Sequence, residues 1–346
     1  MYICALNNTK FIIISSMNYS HQFFYTIFLS LIFACTALGQ GTKNKKREFL
    51  LQAGTKILLA DVHRSKELLG QEDDYTKGLT RFDLMSKLQK LDTNLTAKDY
   101  LAFAPSQALD WSNSEERKMA KMIALVAQRL ANLGIKLSLP PVVEFVKTTG
   151  REEGGAAYTR SNYVVFSKSM LDADQLDGLI AHELFHILSR YNPDLKEKIY
   201  RLHGFLKCNE IPLPAEIAQF KISNPDAPYN DYFIKLKHNN HNIEAAIVIY
   251  SETAYEGGVF FSYLKKSLLV LSGKEEKKPK YVNGKPVLLD FREVGNLYEQ
   301  LGKNSEYNIH VEEIAADHFD MLLREVKDLP NPEIISNMKL LLKEQL

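Results

Sequence analysis

Five residues carry the most specific chemistry in the chain: His182-Glu183-Leu184-Phe185-His186. Residues four apart on an α-helix share a face, so both imidazoles can reach one cation. The carboxylate beside the first imidazole can then address a water on that cation. This is the His-Glu-x-x-His spacing of hydrolytic zinc sites. Such a site needs three protein ligands and one open position. Downstream of His186, Glu313 is the only glutamate followed four residues later by an aspartate, Asp317. That spacing puts both carboxylates on one helix face, with Glu313 the expected third ligand. Asp317 is expected to accept the free ring N–H of a ligand histidine, which fixes its tautomer. Glu312, His310 and His318 are the rival third ligands, on adjacent faces or turns. Glu183 is the expected general base, taking a proton from the attacking water and passing it to the leaving nitrogen. The oxyanion donor stays open between His310, on the face of Glu313 and Asp317, and the tyrosines.

These groups need elements to hold them. Leu176, Leu179, Ile180, Ala181, Leu184, Phe185, Ile187 and Leu188 surround most of a helix that carries both histidines, so that helix belongs in a core. It is expected to start at Asp172-Ala173-Asp174 and to end near Tyr191-Asn192-Pro193. A second helix is expected from His310 toward Lys327, before Pro330. Upstream, Ser112-Asn113-Ser114-Glu115 reads as a capping box for a long helix that stops at Gly134. VVEFVKTTG and AAYTRSNYVVF read as a strand pair joined across Gly150 to Gly155. Residues 194–230 read as helix and then loop, with Asn224-Pro225-Asp226-Ala227-Pro228 a strong turn signal. A strand-rich insertion is expected over about 232–291, with the charged GKEEKKPK loop at 273–280 inside it. Residues 40–110 read as an N-terminal helical segment without a metal or nucleophile constellation. The expected fold class is α+β, a small sheet with the active cleft between the two ligand-bearing helices.

The 346 residues are 45% hydrophobic and 25% charged, with a net charge of +1. No strong field points to a nucleic acid, a membrane surface or an acidic substrate. Phe23 to Gly39 is an apolar stretch that ends in the small-x-small series Ala37-Leu38-Gly39 and a basic segment. It reads as a cleaved secretory leader over 1–39, with Met1 or Met17 as the start. A retained membrane anchor and a lipoprotein site at Cys35 are the rivals. Cleavage would leave Cys208 as the only cysteine, so no disulfide within the chain is expected, and a structural thiolate zinc site is excluded. The expected domains are the leader, the helical segment 40–110, and a catalytic domain over 111–346.

With HELFH and EIAAD in place, the chain resembles the gluzincin metallopeptidases, the thermolysin-like clan. The resemblance is close over about 150–195 and 308–320. It implies a zincin-like fold, with His182, His186 and Glu313 on zinc, Glu183 as base and Asp317 behind a ligand. It also implies a strand before the first helix that pairs with an extended peptide, a role AYTRSNYVVF can fill. The interval from His186 to Glu313 is far longer than in the thermolysin group. The expected activity is zinc-dependent peptide hydrolysis outside the cytoplasm. A zinc hydrolase of another amide or ester, and a non-catalytic zinc-containing binding protein, are the alternatives. The retained Glu183 argues against the last.

Overall fold

Apolar residues on both sides of an extended segment require cover on both faces of its sheet. Val142–Thr148 has that pattern, and the computed structural model, which describes residues 47–344, supplies cover on both sides. The expected leader at 1–39 lies outside the described residues.

The described chain opens with a hairpin, β1 (Glu48–Gln52) and β2 (Thr55–Leu59), turned at Gly54 with φ of 91°. This corrects the all-helical reading of 40–110. Thr55, Ile57 and Leu59 are buried in alternation, the period of a strand. A short apolar run fits either period, and tertiary pairing decided it: Lys56–Leu59 run parallel to Val142–Phe145. The rest of the segment is largely helical as expected, with α1 (Val62–Leu69), α2 (Asp74–Lys77), α3 (Arg81–Leu88) and α4 (Ala97–Ser106). Asp61, Asp73 and Thr80 cap the first three by accepting backbone N–H groups. The short β3 (Ala108–Leu109) leads into α5 (Asn113–Leu133), bounded by the Ser112 capping box and by Gly134 at φ of 64°, as read from the sequence.

Next come β4 (Val142–Thr148), β5 (Tyr158–Arg160) and β6 (Tyr163–Ser167). AAYTRSNYVVF is a hairpin rather than one strand, because Ser161 takes a left-handed φ of 48° and turns the chain back. The first sheet runs β1-β2-β4-β6-β5, with β3 on β4; β2, β4 and β6 are mutually parallel, and β5 is an edge. Val143, Phe145, Val164 and Phe166 face a core shared with α5, while Val146, Val165, Tyr158 and Tyr163 pack against α1 to α4. The sheet thus crosses the expected division at 110/111, and Arg47–Leu346 forms one unit.

α6 (Leu176–Tyr191) is buried from Leu176 to Ser189, as its all-round apolar pattern requires. It begins later than the expected Asp172-Ala173-Asp174 start: Asp172 ends a 3₁₀ turn, Lys168–Asp172, and Ala173–Gln175 link that turn to the helix. α7 (Pro193–Leu202) follows with proline at its first position. β7 (Phe205–Lys207), the short α8 (Ala215–Ala218), β8 (Tyr232–His238), β9 (His241–Tyr250) and β10 (Lys265–Ser272) come next. β7 to β10 form the second, antiparallel sheet, joined on β10 by the short strands Lys278–Pro279 and Leu288–Leu289. The strand-rich insertion is therefore present and begins earlier than expected, at 205. Ile234, Leu236, Ala245 and Ile247 enter the main core, while Phe233, Ala246 and Val248 are covered by Ile211 and Ile217. Then come α9 (Leu297–Leu301), α10 (Val311–Leu323) and α11 (Pro332–Lys343). α10 lies directly against α6, with Phe319 and Phe185 ring to ring at 5.7 Å. The architecture is mixed α and β, helices around two six-stranded sheets, with a separate two-stranded ribbon of Tyr281–Val282 and Lys285–Pro286. Among the described residues no helix is long and apolar enough to cross a membrane.

Candidate metal centre

One turn of α6 places His182 and His186 side by side, their ring centroids 4.8 Å apart. α10 brings Glu313 to them across 126 residues of intervening chain. His182 Nε2 lies 3.2 Å from Glu313 Oε2, and His186 Nε2 lies 3.6 Å from the same oxygen. All three residues are buried. Bond arms of 2.0–2.1 Å at a tetrahedral angle put ligand atoms about 3.3 Å apart, so these separations suit a zinc-sized cation. His186 Nε2 is a buried nitrogen with no hydrogen-bond partner. Such an orphan is costly in a core unless something occupies the space it faces.

The remaining ring nitrogens are held from behind. His182 Nδ1 lies 3.0 Å from Asp317 Oδ1, as expected, and Ser305 donates to the other Asp317 oxygen. His186 Nδ1 lies 2.9 Å from Glu312 Oε1. Glu312 also accepts from Ser189 and Tyr200, and Lys196 lies 3.7 Å away. Both imidazoles therefore carry N–H toward a carboxylate and turn Nε2 toward Glu313. The rivals for third ligand have other work. Glu312 serves the far side of His186. His310 caps α10 by accepting from the Glu312 N–H. His318 sits against His203 with its Nδ1 on the Ile314 carbonyl.

Burial raises the Glu183 carboxyl to about 7, helped by the nearby Asp226 carboxylate. The Thr159 hydroxyl donates to Glu183 Oε2 at 2.8 Å and orients it. A carboxyl poised near neutrality suits a general base. Burial opposes charge on Glu313, but His186 and His182 hold it below the usual carboxylate range. Burial also opposes a charged His182, and Asp317 with Glu313 outweighs it, raising the imidazole well above its ordinary value. A proton on His182 thus stands where the pair of carboxylates calls for positive charge. Burial and Lys196 push His310 down to about 4, so it caps the helix as a neutral ring.

The roles of four contributors escaped the sequence reading. Glu312 is one, weighed only as a rival third ligand and not as the partner of His186 Nδ1. Asn224 is the second; its side-chain N–H donates to Glu313 Oε1 at 2.6 Å. Asp226 is the third, its Oδ1 3.9 Å from His186 Nε2. Both come from the Asn-Pro-Asp-Ala-Pro segment, which had read only as a turn. Tyr307 is the fourth, with its ring 6.3 Å from that of His182. Burial, with Glu313 and Asp226 nearby, keeps its phenol protonated far above the usual range. Its position just before α10 was the available signal. His238 and His241 lie at the β8–β9 turn, away from the centre, and His203 is in the core. The free Cys208 is half-buried, and burial raises its thiol to about 11, the state of an unreactive cysteine.

The assembled groups can do hydrolytic chemistry: a three-ligand cation cradle, a base beside it and a phenol donor. No family model matches the chain, and no curated protein or solved structure matches it.

Proposed function

We propose that this chain is a zinc-dependent peptidase with a zincin-like arrangement of the thermolysin-like type, acting outside the cytoplasm. The observation that carries the reading is the buried triad of His182 Nε2, His186 Nε2 and Glu313 Oε2 at near-tetrahedral ligand spacing, with one nitrogen unpartnered. His182, His186 and Glu313 would hold the ion. When bound, zinc supplies Lewis acidity, which polarises a scissile carbonyl and brings a water pKa to about 7.

The chain's own residues do the rest. Glu183 accepts the proton of the attacking water and delivers it to the leaving amine, held in line by Thr159. Tyr307 donates its phenol O–H to the oxygen on which charge develops. Asp317 and Glu312 hold the two ligand tautomers and raise their basicity. Peptides are favoured over other amides and esters by β5, an edge strand that leads from the Thr159 contact with Glu183 and can take an extended main chain. A cleft beside the centre, lined by Phe260, Phe261, Leu264 and Tyr307, suits an apolar side chain. The long interval before Glu313 is accounted for by the second sheet, which carries the loop bearing Asn224 and Asp226.

The decisive experiment pairs a metal assay on purified protein with peptide-library cleavage, with and without a chelator. One zinc per chain and chelator-sensitive cleavage are expected. Glu183→Gln should keep the zinc and lower kcat by 10²–10⁴-fold. Full activity in that variant removes the assigned base, and zinc retained undiminished in Glu313→Ala removes the third ligand.

A further inference from the structure

The β5–β6 hairpin has a register that turns the main-chain groups of one buried residue away from β6. With a two-residue turn at Ser161-Asn162, Arg160 and Tyr163 form the hydrogen-bonded pair next to the turn. The next pair, Thr159 with Val164, is then non-bonded across the hairpin, and the N–H and C=O of Thr159 face outward. On an edge strand those groups are the template for an added strand. Here both are taken. The Thr159 N–H donates to Asp226 Oδ1 at 2.7 Å. The Thr159 carbonyl accepts from Arg190 at 3.4 Å, and Arg190 also donates to the Asp226 carbonyl at 3.4 Å and the Ser161 carbonyl at 3.0 Å.

The same segment reaches the metal centre. Asn224 accepts the Asp226 N–H at 3.0 Å and donates to Glu313. Asp226 Oδ1 lies 3.9 Å from the orphan His186 Nε2 and shares with His186 and Glu183 a cluster whose ligand atoms lie within 4.8 Å of one another. Pro225 and Pro228 narrow the backbone freedom of the loop that carries it. One carboxylate therefore sits both on the edge-strand N–H and over the open side of the cation cradle.

We propose that Asp226 is a built-in competitor of substrate: it occupies the strand-addition position on Thr159 and the position facing His186 Nε2, so an extended peptide enters only when the 224–228 loop moves aside. This rests on the peptidase reading above. The chemistry requires the displacing group to bring a main-chain carbonyl to the Thr159 N–H, so the entering ligand is an extended peptide rather than a compact ester.

Three measurements on the full chain test it, using Asp226→Ala and Asp226→Asn. Amide exchange of metal-free protein needs neither zinc nor substrate. The Thr159 amide should exchange at least about tenfold faster in the Ala variant, with little change in Asn, whose side-chain oxygen still accepts. The visible spectrum of the cobalt-loaded protein should change in both variants, because both lose the carboxyl group that faces His186 Nε2. Cleavage of an extended peptide should rise about tenfold in kcat/KM for Ala, the gain expected when a mostly closed population is released. Unchanged Thr159 exchange in the Ala variant overturns the proposal. So does faster exchange with equal or lower kcat/KM, which makes Asp226 a positioning residue. If the Ala variant fails to fold, an unchanged cobalt spectrum in Asn overturns it instead. If exchange and spectrum respond while no form cleaves any peptide, the peptidase reading fails and the two contacts of Asp226 are upheld.

Discussion

Two buried polar clusters in this molecule differ in one respect that separates structure from chemistry. Under β5, between α2, α3 and α4, Glu153 accepts from the Tyr75 and Tyr100 hydroxyls and from the fully buried Lys87 ammonium. Charge is matched one to one, and both carboxylate oxygens are used. Between α6 and α10, five carboxyl groups, Glu183, Asp226, Glu312, Glu313 and Asp317, converge on two imidazoles, one of which keeps an unpartnered nitrogen. A buried ion pair that is complete locks the fold and has nothing left to offer a ligand. A buried cluster with more carboxyl groups than cationic partners and a free lone pair leaves room for a cation from outside.

Breaking the closed cluster should have the largest effect. Lys87→Met leaves Glu153 without its counter-charge and should cost about 3–5 kcal/mol of stability, read by denaturant unfolding. Zinc content should not change. Adding Glu153→Gln should restore part of the loss, and a Lys87→Met protein as stable as the parent would show that the pair contributes nothing.

The open cluster should respond in affinity instead. Glu312→Gln weakens the hold on the His186 tautomer and should lower zinc affinity about 10–100-fold, measured by competition with a chromophoric chelator. Unchanged affinity would restrict Glu312 to packing.

The smallest effect sharpens the boundary between the clusters. Burial raises the Glu152 carboxyl to about 7, against the Thr148 hydroxyl that donates to it. Its folded value lies above its unfolded value, so the folded chain holds the extra proton between about 4.5 and 7. The associated stability is complete below that window and is lost as pH rises through 7. Glu152→Gln should remove on the order of 2 kcal/mol of that decline between pH 5 and pH 8, seen in unfolding curves at the two values. An identical slope in parent and variant would place the titration elsewhere.

How much of this was legible follows from the range of each interaction. HELFH and EIAAD were readable because the i, i+4 relation is built into the helix, and an all-round apolar pattern admits only a buried helix. Ser112 and Gly134 bounded α5 for the same local reason. The 48–59 hairpin was not readable, since its short apolar run fits two periods and only pairing with β4 selects one. The turn at Ser161 hid likewise inside a run of strand formers.

The order of residues alone therefore determined which helices exist and which side chains share a face on each. Only the tertiary structure decided which faces meet. It set Glu312 behind His186 and led the Asn224–Pro228 loop back from the second sheet to Glu313 and Thr159. It also put Tyr307 beside His182. Those contacts join residues 67 to 126 positions apart, and no periodicity reaches that far; they follow from which surfaces must be buried together when the two sheets and α6 share one core.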